Sequence, residues 1–224
     1  RIVNDYFFEV VDYYEEENSI LIKKNRMFKT MKSEHRAMQG YPDALLITFN
    51  EKNKISPFRI EMVEYECHGE SRKSSNRQQE YMDKHIIPQL VRFSSSFSII
   101  TEEKTRINTI NNWIELVEKV IVDTEDEEKM VNWIKKIHPK IKERTIDKQI
   151  NEYLKKSFID NIGILLIIDE LTSEHNNTLK NIVQSFKTTN EKNVIYNSLV
   201  VNLMQKISDN IDEPEYSLIF EQKK

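Results

Sequence analysis

The sequence predicts an α/β protein in which a mixed β-sheet is flanked by helices and carries an inserted helical lobe. Three observations lead there. Residues 41–69, YPDALLITFNEKNKISPFRIEMVEYECHG, read as a β-hairpin. Gly163–Ile168 is an unbroken apolar run, and between the two lie stretches with apolar residues at helical spacing. The expected organisation is a first part of the core over 1–101, a helical lobe over 102–158 and the rest of the core over 159–224.

Along the chain, Tyr6–Tyr14 and Ile20–Ile22 are apolar or aromatic runs whose period fits strand and helix equally well. Asn25–Gln39 carries Met27, Met31 and Met38 among basic residues and ends at Gly40 and Pro42, which predicts a helix. In the hairpin, Ala44–Phe49 and Phe58–Cys67 are the strands and Asn50–Ser56 the turn region. Ser74, Ser75 and Asn76 are good N-caps for a helix over Arg77–Phe93, which Pro88 should kink or interrupt. In the lobe, the stripes are Ile107 to Ile121, Met130 to Ile141 and Ile146 to Phe158, each with helical spacing. Gly163–Ile168 suits a strand buried on both faces, and Leu179, Ile182, Val183 and Phe186 mark a helix after it. Val194–Ile207 reads as another helix through Leu199, Val200, Leu203, Met204 and Ile207, and Tyr216–Phe220 as a terminal edge strand.

Composition narrows the chemistry. With 38% hydrophobic and 31% charged residues, the chain has enough apolar content for a core and a heavily charged surface. Three glycines leave no room for phosphate-binding loops: neither G-x-x-x-x-G-K-[ST] nor G-x-G-x-x-G occurs, so the Asp169-Glu170 end of the apolar run is not that of a P-loop ATPase. Five scattered histidines without paired spacing argue against a zinc hydrolase, and no G-x-S-x-G supports acyl chemistry. The single Cys67 allows no internal disulfide, and no membrane-length apolar run or signal peptide is visible, so a cytoplasmic protein with no membrane partner is expected.

The informative residues are acids. Side chains alternate along a strand, so Glu64 and Glu66 share a face with Ile60 and Met62, while Asp43 opens the neighbouring strand. Three carboxylates gathered in this way repel one another unless a cation lies between them, and an oxygen-only donor set suits Mg²⁺ or Mn²⁺. Net charge is −4, but bases flank the hairpin: Lys23, Lys24, Arg26, Lys29, Lys32 and Arg36 before it, and Arg72, Lys73 and Arg77 after it. That is where a phosphate backbone would need neutralising.

At Pro42-Asp43 and Glu64-Tyr65-Glu66 the sequence resembles the PD-(D/E)XK nuclease superfamily, whose signature is a Pro-Asp on one strand and a Glu-x-Lys on the next. Glu66 stands where the lysine usually does, a variant also found among restriction enzymes of that superfamily. The resemblance spans about residues 25–93. It implies a restriction-endonuclease-like fold and a metal-dependent endonuclease that hydrolyses DNA, with Asp43 and Glu64 holding Mg²⁺ or Mn²⁺, the Tyr65 carbonyl as a further ligand, and Glu66 orienting or deprotonating the water. Glu34, on the preceding helix, would be an additional ligand. Lys29, Lys32, Arg72, Lys73, Arg77 and Gln78 would contact nucleic acid. By the same analogy, the setting is restriction or anti-phage defence, as a homodimer or within a larger complex. The alternative is a catalytically inactive nuclease-like subunit that binds nucleic acid or serves assembly. The superfamily also places another strand beside the Asp strand, and the first 24 residues are the expected source of it.

Overall fold

The computed structural model describes residues 2–23, 27–29, 40–69, 72, 74–205 and 216–223. Two short helices, α1 (Ile2–Asp5) and α2 (Phe7–Val10), lead into strand β1 (Ser19–Ile22), then β2 (Ala44–Phe49) and β3 (Phe58–Glu66). Helices α3 (Ser75–Tyr81), α4 (Ile87–Ser96), α5 (Glu103–Ile121), α6 (Glu125–Ile137) and α7 (Ile146–Asp160) follow. Strand β4 (Ile162–Ile168), helix α8 (Ser173–Gln184) and strands β5 (Ile195–Gln205) and β6 (Tyr216–Lys223) complete the order.

All six strands form one mixed sheet in chain order. The β1–β2, β2–β3 and β5–β6 pairs are antiparallel, whereas β3–β4 and β4–β5 are parallel. Parallel neighbours need long crossovers. Helices α3 to α7 all lie in the connection from β3 to β4, and α8 lies in that from β4 to β5. The strand expected from the first 24 residues is present: β1 pairs with β2 from Ser19↔Thr48 to Ile22↔Leu45.

Strand alternation divides the core between the two faces of this sheet. Ile60, Met62, Ile164 and Leu166 pack with Leu90, Phe93, Trp113, Trp133, Leu154, Phe158 and Leu179 from the long helices. The three helices expected over 102–158 are formed, and their apolar stripes join this cluster with the sheet. Val63, Leu165, Ile167 and Leu199 face the other way, under Phe7, Val11 and Tyr14 of the N-terminal segment. Strand β4 is buried along its whole length, as an apolar run without alternation requires.

One expectation is corrected. Val194–Ile207 is not a helix but falls mainly in β5, where Val194, Tyr196, Leu199 and Val200 are buried. Apolar residues one and four apart satisfy either period, and the β-branched and aromatic content of Ile195, Tyr196, Val200 and Val201 together with the open side of β4 decides for strand. Pro88 marks an interruption of its helix, as expected. The five residues Met82–Ile86 just before it form a wide π turn, and α4 continues to Ser96. A proline has no N–H and its ring clashes with the carbonyl four residues back, and a local widening of the helix accommodates both. Of the helix expected over Asn25–Gln39, only Met27–Lys29 fall among the described residues, in a turn. The expected edge strand at the end of the chain is β6, which among the described residues pairs only with β5. Among the described residues no helix is long and apolar enough to cross a membrane.

Candidate active site

Parallel strands β3 and β4 end at the same side of the sheet, the side on which α/β proteins bind ligands. β2 runs the other way, so its first residues lie at that end too. The Ala44↔Val63 pair brings Asp43, one residue earlier, beside Glu64. Asp43 Oδ2 accepts the Tyr65 N–H at 3.0 Å. Glu64 and Glu66 project on the helical face of β3, where their strand partners are Leu166 and Ile168. The sheet thus brings Asp43, Glu64 and Glu66 together, and Asp43 raises the carboxyls of both glutamates by its charge.

Glu64 is the most constrained of the three. It is buried, its Oε1 accepts Gln89 Nε2 from α4 at 2.5 Å, and its Oε2 is buried without a hydrogen-bond partner. Burial, followed by the charges of Asp43 and Glu66, pushes its carboxyl up to about 9 against the hydrogen bonds from Gln89 and the Asp43 backbone. A buried carboxylate loses water and gains little here in return. Glu66 is half-buried and accepts the Tyr81 hydroxyl. Burial raises its carboxyl above the ordinary range as well, against the Tyr81 hydrogen bond, with Asp43 raising it further and His85 and Arg72 opposing.

The loop after β3 is tied to the end of β4. Asp169 accepts the His68 N–H at 2.8 Å, the Gly69 N–H at 3.0 Å and the Cys67 thiol at 3.1 Å. Burial would raise this carboxyl, but the two backbone donors and the thiol outweigh it and hold it below the usual carboxylate range. Gly69 closes the turn with φ +60°, a conformation open to glycine at no steric cost. Arg72 donates to the carbonyls of Cys67 at 2.9 Å and His68 at 3.2 Å, and its guanidinium carbon lies 3.9 Å from the Tyr81 ring centroid.

Of the residues expected to touch nucleic acid, Arg72 and the exposed Arg77 lie at this end of the sheet, and Lys29 places its Nζ 5.7 Å from the Tyr41 ring centroid. Gln78 is buried and donates to Glu170 at 2.7 Å. Glu34, Lys32 and Lys73 lie outside the described residues. The glutamine that reaches the carboxylates is Gln89. Sequence reasoning gave no site role to Gln89, Tyr81, His85 or Asp169, although Gln78, Tyr81, His85 and Gln89 recur at helical spacings of three and four.

The acids present oxygen donors only, and their free oxygens are few because each is turned toward a protein donor: Asp43 toward Tyr65 N–H, Glu64 toward Gln89, Glu66 toward Tyr81. Among the described residues no group of three or more His, Cys, Asp or Glu side chains is arranged to hold a metal ion. What the cluster offers a cation is the unpaired Glu64 Oε2 and relief from mutual repulsion, both of which favour a hard divalent ion. The chain matches no protein-family model, no curated protein and no solved structure.

Proposed function

We propose that the protein is a metal-dependent endonuclease of restriction-endonuclease-like fold that hydrolyses DNA phosphodiester bonds. The observation that carries this reading is the buried, unpaired Glu64 Oε2 between two further carboxylates at the carboxyl end of β3. A site that protonates Glu64 in isolation is one that a bound cation would return to its anionic form, because the cation supplies the missing counter-charge. Asp43 and Glu64 would hold Mg²⁺ or Mn²⁺, with the Tyr65 carbonyl as a further ligand. The bound ion would lower the pKa of a water molecule and offset charge on the phosphate. Glu66, fixed by the Tyr81 hydroxyl, would orient that water and accept its proton. Gln89 holds one oxygen of Glu64 and leaves the other without a protein partner, free to serve the ion.

One observation favours a second reading. The three acids are all engaged by protein donors and Glu66 replaces the expected lysine, as suits a nuclease-like subunit that binds nucleic acid without cutting it. Incubation of plasmid DNA with the protein and Mg²⁺ or Mn²⁺ separates the two. The nuclease reading expects nicked or linear products with the parent chain and none with Asp43→Asn. Binding without cleavage by the parent chain in either metal establishes the second reading.

A further inference from the structure

Beside the carboxylates, on the outer side of Tyr81, lies an open basin of about 430 Å³ lined by Arg72, Arg77, Glu80, Tyr81, Lys84 and His85. Among the described residues its composition is one-sided: two guanidiniums, an ammonium and an imidazole surround a single acid. That acid, Glu80, is already paired, with Lys84 Nζ at 2.5 Å. Tyr81 forms the wall shared with the site described above, since it lines the basin and its hydroxyl donates to Glu66. We propose that this basin is a phosphate subsite that holds the nucleic-acid backbone immediately beside the bond to be cut. The inference deepens the nuclease reading and rests on it.

Two features identify the ligand as backbone phosphate. Arg72 is pre-organised, because its two hydrogen bonds to the Cys67 and His68 carbonyls fix the guanidinium at the rim, and a fixed guanidinium matches a phosphate's paired oxygens. The aromatic ring of the basin does not serve as a platform for a base. Tyr81 is enclosed by the Arg72 guanidinium at 3.9 Å, the His85 ring at 4.9 Å and the His68 ring at 5.6 Å. The exposed Tyr6 and Tyr13 belong to the N-terminal segment, which covers the other face of the sheet. With no open ring among the described residues that line the basin, recognition there rests on charge and falls on the sugar-phosphate chain whatever its sequence.

The experiment uses Asp43→Asn as a binding-competent, non-cleaving background and measures affinity for a fluorescent DNA duplex as salt is varied. Adding Arg77→Gln and Lys84→Gln should flatten the salt dependence of log K by ~1.8, at ~0.9 for each phosphate that is no longer neutralised. Lys135→Gln with Lys136→Gln, on the distant α6, should leave the slope unchanged. Thermal melting checks that each variant is folded. Inorganic phosphate distinguishes the source: it should displace DNA only at concentrations far above those of the oligonucleotide. A slope that is steep but indifferent to Arg77 and Lys84, or inorganic phosphate binding as tightly as DNA, overturns the subsite and leaves the nuclease reading standing. Absence of DNA binding together with absence of cleavage by the parent chain overturns both.

Discussion

Glu61 and Glu64 lie on the same strand, and both are buried, yet they inhabit opposite electrostatic surroundings. Glu61 faces the N-terminal segment. Its Oε2 accepts the Tyr14 hydroxyl at 2.9 Å, its Oε1 accepts Asn197 Nδ2 at 2.5 Å, and Arg59 Nε stands 3.8 Å away. Burial and the neighbouring Glu61 push the Tyr14 hydroxyl far above its ordinary range, so it stays a donor. Glu64 faces the helices with hydrogen bonds from Gln89 and the Asp43 backbone, one oxygen without a partner and two like charges for company. The fold therefore places a satisfied carboxylate where it joins three parts of the chain, and an unsatisfied one three residues later. Burial alone does not make an acid functional; what its oxygens lack does.

The widest separation between the two should come from substitution. Asp43→Asn or Glu64→Gln should lower the cleavage rate by ~10²-fold or more, as loss of a ligand or general base does, while the protein stays folded. Glu61→Gln should leave the cleavage rate of the folded fraction nearly unchanged. Equal cleavage by Glu64→Gln and the parent protein would break the comparison at its functional end.

For stability the order reverses. Glu61→Ala strands the Tyr14 hydroxyl and the Asn197 amide in the core and should cost about 2–4 kcal/mol in urea unfolding. Glu64→Gln should be neutral or stabilising, because it removes the cost of holding a buried carboxyl protonated and keeps the shape. A smaller effect comes from the cation. Mg²⁺ or Mn²⁺ at about a hundred times its dissociation constant should stabilise the parent chain by about 2.7 kcal/mol, and Glu64→Gln should lose most of that gain. Stabilisation of equal size in both proteins would place the ion elsewhere.

The gentlest test is pH. The folded chain favours protonated Glu64, whose carboxyl is raised from 4.5 to about 9. Its contribution to stability is therefore complete below pH 4.5 and declines as pH rises toward 9, with a slope of up to ~1.4 kcal/mol per pH unit for one proton. Glu64→Gln should flatten that decline in metal-free buffer, and Glu61→Gln should not. Identical pH profiles for Glu64→Gln and the parent protein would remove the electrostatic argument for Glu64.

These contrasts show which parts of the site were legible. Asp43, Glu64 and Glu66 could be grouped from sequence because a strand's period of two and a hairpin's short return are local rules. Their partners obey no local rule. Tyr81, Gln89 and Asp169 reach the site across 15, 25 and 102 positions of chain, through helix docking and a parallel crossover. Nothing near Glu61 marks it as buried and paired, since Tyr14 and Asn197 are 47 and 136 residues away. The edge strand β6 was readable from its own residues, whereas β5 was misread because its apolar spacing suits two periods, and its β-branched and aromatic content decides for strand only together with the open side of β4.

The long connection between β3 and β4 also sets when the site can exist. Cys67 and Asp169 are 102 residues apart, and parallel pairing at such a separation closes late, after helices with local contacts have formed. A nascent chain that has emerged only as far as residue 101 carries Asp43, Glu64 and Glu66 but not the strand against which β3 rests. Its β3 presents an unpaired apolar edge, a risk for association with other chains. Assembly of the acidic end thus waits for synthesis of β4.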